Sequence, residues 1–208
     1  MDLDPNYVIH EVAELAQLYG PPAERSVRKQ IDRLDEHSRA FIAASPLVIV
    51  GTQNGHTADT SPRGDAPGFV KVVDDRTLLI PDRRGNNRTD TLQNLLRNPA
   101  IGLLFLIPGV THAFRVNGEA TISRDPALTE PFAVQGKVPR TVIIVRVKEA
   151  YLHCSRALLR SDLWNPAKHA SATSVPSMGT MLAAHTCGLV NAEAVDEEVR
   201  IQVPLTLY

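Results

Sequence analysis

The sequence predicts a mainly antiparallel β-barrel with helical additions, an α+β protein of about six strands. Three observations carry this. Apolar, β-branched segments crowd between Leu47 and Val147. Short turns such as Asn54-Gly55 and Pro108-Gly109 join several of them, as in antiparallel pairs rather than parallel crossovers. Helical patterns are confined to the front, the middle and the back of the chain. Neither GxGxxG nor a Walker A sequence is present, so the common α/β nucleotide-binding folds are not indicated.

The elements follow in order. Val8, Val12, Leu15 and Leu18 recur near helical spacing, and Gly20-Pro21-Pro22 ends that helix. A short helix over AERSVRKQI is expected next. Asp35 then reads as the N-cap of EHSRAFIAAS, with Phe41 and Ile42 inward. All three are expected to be packing helices. Leu47 to Thr52 predicts a buried strand and Asn54-Gly55 a hairpin turn. Thr57 to Ser61 predicts the return strand. SPRGDAPG is too rich in Pro and Gly for regular strand. Phe69 to Val73 and Thr77 to Ile80 predict the next two strands. Ala100 to Ile107 predicts a core strand, and Thr111 to Ile122 a long one with a bulge or turn at Asn117-Gly118. DPALTEPFAV predicts a short helix and Thr141 to Val147 a further strand. YLHCSRALLRSDLWNP predicts a helix closing at Trp164 and Pro166, and another helix lies around Thr180 to Ala184. The end, IQVPLTLY, is expected to be extended. The domains expected are a helical extension over 1–34, a barrel over 35–166 and a tail over 167–208 that packs on the barrel or a partner.

Charge and cysteine usage narrow the function. The net charge of −1 and the lack of a basic run argue against nucleic acid. Cys154 and Cys187 are far apart and form no zinc spacing; reduced thiols in the cytoplasm are the expectation. The first residues are acidic where a signal peptide needs basic ones, and no apolar run is long enough to span a membrane. Scattered histidines without HExxH predict no metal site.

The most informative stretch is Pro81 to Pro99, PDRRGNNRTDTLQNLLRNP. Gly85 breaks the chain after a strand, and Asn86 or Asn87 can cap a helix. With Asn87 as N-cap, Asp90 falls at the third helical position. Leu92, Leu95 and Leu96 then make one buried face, and Pro99 stops the helix. Free N–H groups would cluster from Asn87 to Asp90 beside Arg83, Arg84 and Arg88. That outlines an anion site; a capped surface helix with solvated arginines is the other reading. His153 beside Cys154 invites a nucleophile–base reading, but neighbours on a helix point apart, and a packed Cys154 is favoured.

Five motifs in this order resemble the pyridoxamine 5′-phosphate oxidase-like flavoproteins, the FMN-binding split barrels. They are SPRGDAPGF, LLIPDRRGNNRTDTL, NPAIGLLFLIPG, RVNGEATI and YLHCSRALLRSDLWNP. Together they are similar to the "probable FMN-dependent" branch, over roughly Asp35 to Pro166. The resemblance implies a homodimer with FMN in clefts between subunits and hydride transfer at flavin N5 to or from a small molecule. It implies that Arg63 reaches the FMN phosphate and that Asn87 and Arg88 hold it at the helix start. Leu79, Ile80, Pro81 and Asp82 match the strand end along the isoalloxazine edge. Ser61 would bond the phosphate and Asp65 fix the arginine, or both would satisfy a turn. Arg115, Arg156 and Arg160, supplied by the second subunit, are candidates for the cation near N1. Trp164 either covers the flavin or anchors the tail. No catalytic residue is named. Arg88 stands where relatives have Lys, and the Arg-Leu-x-Pro ending of true pyridoxamine phosphate oxidases is replaced by PLTLY, which argues against that substrate. A deazaflavin or haem in the same barrel, or a flavin-binding module without turnover, are the alternatives.

Overall fold

The computed structural model describes residues 1–171 and 173–208. Seven strands form one antiparallel sheet: β1 (Leu47–Gln53), β2 (Ala58–Gly64), β3 (Lys71–Val72), β4 (Thr77–Pro81), β5 (Ala100–Leu106), β6 (Ala113–Ser123) and β7 (Val142–His153). Their order is β2-β1-β5-β6-β7-β4-β3, so β2 and β3 are the edges. Alternation along each strand sends one row inward. Val48 and Val50 of β1, Leu78 and Ile80 of β4, Phe105 of β5, Val116 of β6 and Ile143 and Val145 of β7 have no exposed surface. Helix α3 (Glu36–Ala44) adds Ile42 to this core, and Asp35 caps it by accepting from the Ser38 N–H at 2.8 Å. Leu79 and Val142 face the other way, under Phe132. That residue follows the short helix α5 (Pro126–Thr129).

The irregularity expected at Asn117-Gly118 is present, but the extra residue lies in the partner strand. Asn117 pairs with Glu149 and Gly118 with Val147, so Lys148 of β7 is the extra residue. Gly118 is required by the close approach of the two backbones: a Cβ there would lie 2.2 Å from the Arg146 carbonyl oxygen.

Several expectations are corrected. The strand expected from Phe69 is only Lys71–Val72. SPRG is not loop: β2 runs through Ser61, Pro62 and Arg63 to Gly64, paired with Leu47 to Val50. An edge strand accommodates Pro62 because one side of it has no ladder to lose. Tyr151, Leu152 and His153 continue β7 instead of starting a helix, and α6 covers only Arg156–Ser161. The expected extended end is helical: α8 (Ala192–Leu205) is capped by Asn191 and carries Pro204 in its last turn. It packs on α7 (Met178–His185), where Gly179 N–H donates to Asp196 at 2.7 Å. The first two helices, α1 (Val12–Tyr19) and α2 (Glu24–Arg28), bury no residue within this chain; Val12, Leu15 and Leu18 are exposed. The link after them does pack: Ile31 bridges Ala150, and Leu34 is buried.

Candidate functional site

The site begins with the two-residue period of β2. Asp59, Ser61 and Arg63 pair with Thr52, Val50 and Val48 of β1, which are buried, so all three side chains point to the inner face. Helix α4 (Asp90–Arg97) lies over that row. Its buried face is Thr91, Asn94 and Leu95; Leu96, expected inside, is 78% exposed. Asn94 donates to Thr52 Oγ1 at 3.2 Å and fixes the helix to the first hairpin.

A chain of hydrogen bonds follows. Arg63 Nη1 donates to Ser61 Oγ at 2.9 Å, and Nη2 donates to Thr91 Oγ1 at 3.2 Å. Ser61 and Thr91 hydroxyls lie 3.0 Å apart, and Thr91 donates to Asp59 at 3.2 Å. The guanidinium is thus aimed before any ligand arrives. Sequence reading missed Asp59 and Thr91; the alternation Asp59, Ser61, Arg63 was the signal for the first. Nothing local marked Thr91, because its role depends on where the helix starts.

That start differs from the expected one. Asn87 is not the N-cap: it adopts φ 60°, and Thr89, φ 57°, precedes the first helical residue. The side chain of Asn86 accepts from Arg88 N–H at 3.1 Å, forming an Asx turn that keeps these residues out of the helix. Arg88 is exposed and its Nε pairs with Asp90 at 2.7 Å. The first N–H groups of α4 have no side-chain cap from Thr89.

The strand end of β4 faces this cluster across the seam between the sheet's two ends. Arg83 Nε donates to Asp65 at 2.7 Å and Arg83 Nη1 donates to Phe132 O at 2.7 Å. Both charged side chains are largely buried. Burial pushes the Asp65 carboxyl up, but the Tyr208 hydroxyl, the Ala66 N–H and Arg83 outweigh it and hold the pKa below the usual carboxylate value. Asp65 therefore anchors Arg83, not Arg63. Leu79, Ile80 and Pro81 are buried, with Ile80 in the core and Leu79 under Phe132, so only their backbone is free to edge a ligand. Asp82 is half-buried, and burial raises its pKa against the opposing charges of Arg63 and Arg140.

The remaining candidates lie elsewhere. Arg115 donates to the Tyr151 hydroxyl at 2.9 Å and sits over that ring. Arg156 and Arg160 are exposed on α6, with no ion pair among the described residues. Trp164 donates to Val110 O at 2.9 Å, which ties the segment after α6 to the β5–β6 turn. Within this chain these residues are not brought to the Arg63 cluster. His153 stacks on Tyr151, and burial, then Arg115 and Lys29, lower its pKa; Cys154 is exposed. Successive side chains at a strand end diverge, so the two do not form a nucleophile–base pair.

The family model described as pyridoxamine 5′-phosphate oxidase matches residues 34–154, more than half of the chain. The chain belongs to the pyridoxamine 5′-phosphate oxidase-like family of FMN-binding split barrels. No curated protein matches it. Among solved structures it is similar to HupZ of Group A Streptococcus, at 20% identity and a TM-score of 0.48, over 57% of this chain and 92% of that one. A putative pyridoxamine 5′-phosphate oxidase of Lactobacillus delbrueckii matches at 16% identity and TM-score 0.44, over 58% and 99%. An FMN-binding protein of Syntrophomonas wolfei matches at 15% and 0.45, over 58% and 86%. The matched residues contain the whole Arg63–Thr91 cluster and the β4–α4 loop.

The donor set fits a phosphate dianion. Arg63 and the first turn of α4 converge, with Arg88 one residue from the helix cap. The two nearby carboxylates are already engaged, Asp59 by Thr91 and Asp90 by Arg88. Among the described residues no His, Cys, Asp or Glu group could hold a metal ion, and no helix is long and apolar enough to cross a membrane.

Proposed function

We propose that this protein is a cytoplasmic, homodimeric FMN-dependent oxidoreductase acting on a small organic molecule. The observation that carries this is Arg63, held by Ser61 and Thr91 beneath the start of α4, in a chain of the FMN-binding split-barrel family. In this reading Arg63 and the first N–H groups of α4 bind the phosphate. Ser61 and Thr91 keep the guanidinium in line, which reduces the ordering cost of binding. Arg88 exchanges its exposed pairing with Asp90 for the phosphate. The backbone of Leu79 to Asp82 edges the ring system, and the apolar wall behind it excludes water. Bound FMN supplies the hydride chemistry. Exposed apolar side chains on the terminal helices, Val12, Leu15 and Leu18 among them, support burial against a second subunit.

The test is FMN titration of flavin-stripped protein, followed by flavin fluorescence. Each charge-assisted bond contributes about 1.5–3 kcal/mol, so Arg63→Ala should weaken binding roughly 10- to 150-fold. Saturable binding that this substitution leaves unchanged would remove the phosphate assignment. No binding by the wild-type chain would remove the cofactor.

A further inference from the structure

A second cavity opens where the link after α2 and the start of α3 cross β6 and β7. Its walls follow from the sheet register. Phe114 of β6 pairs with Leu152 of β7, and Ile31 bridges Ala150, which draws the link against β7. Phe41 of α3 meets the rings of His112 and Phe114, with centroids 5.4 and 5.8 Å away. Ile31, Phe41, His112 and Tyr151 line the cavity and are only half-buried. The volume is about 400 Å³. Interiors are close-packed, so aromatic-lined space of this size has the dimensions of a ligand pocket. An apolar cavity of about 150 Å³ holds one benzene ring, so this one has room for two fused rings and a polar substituent.

The polar groups of the rim say which substituent. Lys29 Nζ donates to the Leu152 carbonyl at 2.8 Å and lies 5.3 Å from the centre of the Tyr151 ring. An ammonium has three N–H donors, so two remain. Arg28 is already paired with Glu24, and the Asp35 carboxylate accepts from the Ser38 N–H and hydroxyl at 2.8 and 2.6 Å. Lys29 is thus the lining charge without an ionic partner among the described residues. One ammonium suits a monoanion. A phosphate dianion would find too little positive charge here and the Asp35 carboxylate close by. The His112 ring nitrogens add a donor or an acceptor at the same cavity.

We propose that this cavity is a second ligand site, which takes a bicyclic aromatic carboxylate. Its rings lie among Phe41, Phe114 and Tyr151, and its carboxylate meets Lys29 and His112. The site is separate from the phosphate cluster. The ladder Arg63–Val48–Phe105–Phe114–Leu152 puts four strand spacings, about 19 Å along the sheet, between the two. The inference therefore does not rest on FMN binding.

The experiment is calorimetry of the full-length protein with 2-naphthoate and with its neutral counterpart, 2-naphthalenemethanol. The acid should bind at least about fivefold tighter than the alcohol, a modest factor because Lys29 is open to water. Lys29→Met keeps the apolar stem and should abolish that preference. His112→Leu should weaken the acid. Leu152→Trp, at the exposed rim, should weaken both ligands by filling the space, with circular dichroism confirming each fold. Equal binding of acid and alcohol, or a preference that survives Lys29→Met, overturns the inference. Binding of neither ligand, or binding that Leu152→Trp leaves unchanged, overturns it as well. An affinity insensitive to His112→Leu removes His112 from it. Saturating FMN and Arg63→Ala should both leave 2-naphthoate binding unchanged. Displacement by FMN overturns the inference, because the cavity would then belong to the flavin. A chain that binds 2-naphthoate but no FMN would remove the cofactor reading and support this one.

Discussion

Two sets of arginines divide this molecule. Arg63 is pointed by strand alternation, bonded to Ser61 and Thr91 and covered by α4. Arg156 and Arg160 stand exposed on a six-residue helix without ion pairs among the described residues. The charge is the same, but only the first set is organised before a ligand arrives. Holding a long side chain in one geometry costs rotamer entropy. At Arg63 the fold has met that cost; at Arg156 and Arg160 a ligand or a second subunit would have to meet it.

Breaking the organised set should give the larger effects, with Arg63→Ala the largest. Thr91→Val comes next. It strips a donor from Asp59 and an acceptor from Arg63 inside a buried helix face, so we expect about 1–3 kcal/mol lower stability in urea unfolding and weaker FMN binding. Asp35→Ala tests a cap far from the site and should cost about 1 kcal/mol with FMN affinity unchanged. Its pH dependence has a defined sign. Hydrogen bonds from the Ser38 hydroxyl and N–H lower the Asp35 pKa below 3.8. The stability it contributes is therefore present above that ordinary value and lost as pH falls through the lower folded one. The difference between wild type and Asp35→Ala should shrink on acid titration. Arg156→Ala and Arg160→Ala should change FMN affinity least, by less than twofold if the phosphate cluster acts alone. A tenfold loss in either would sharpen the comparison by showing that a second subunit brings α6 to the flavin.

What the sequence made legible follows the range of each signal. The β1 strand, the Asp35 cap and the Asn117-Gly118 irregularity are written in neighbouring residues, and they were read correctly. The course of β2 through Pro62 was not, because an edge position is a property of the whole sheet. Arg63 was named through a family resemblance. Its partners Asp59 and Thr91 were missed, since they meet only when α4 crosses β2. The same crossing turns Leu96 outward and brings Thr91 and Asn94 inward, against their polarity. Those two polar residues take the places that a purely apolar face would fill, and they mark the helix as part of a site.

The Asp65–Arg83 pair, with Tyr208 donating to the same carboxylate at 2.6 Å, joins parts of the sheet that no backbone ladder connects. A barrel fastened this way behaves like a purse with a clasp. Its wall stays intact while the clasp opens, because side chains can separate and re-form without unzipping a strand. Breaking the clasp would cost a local amount rather than a share of the whole fold's stability.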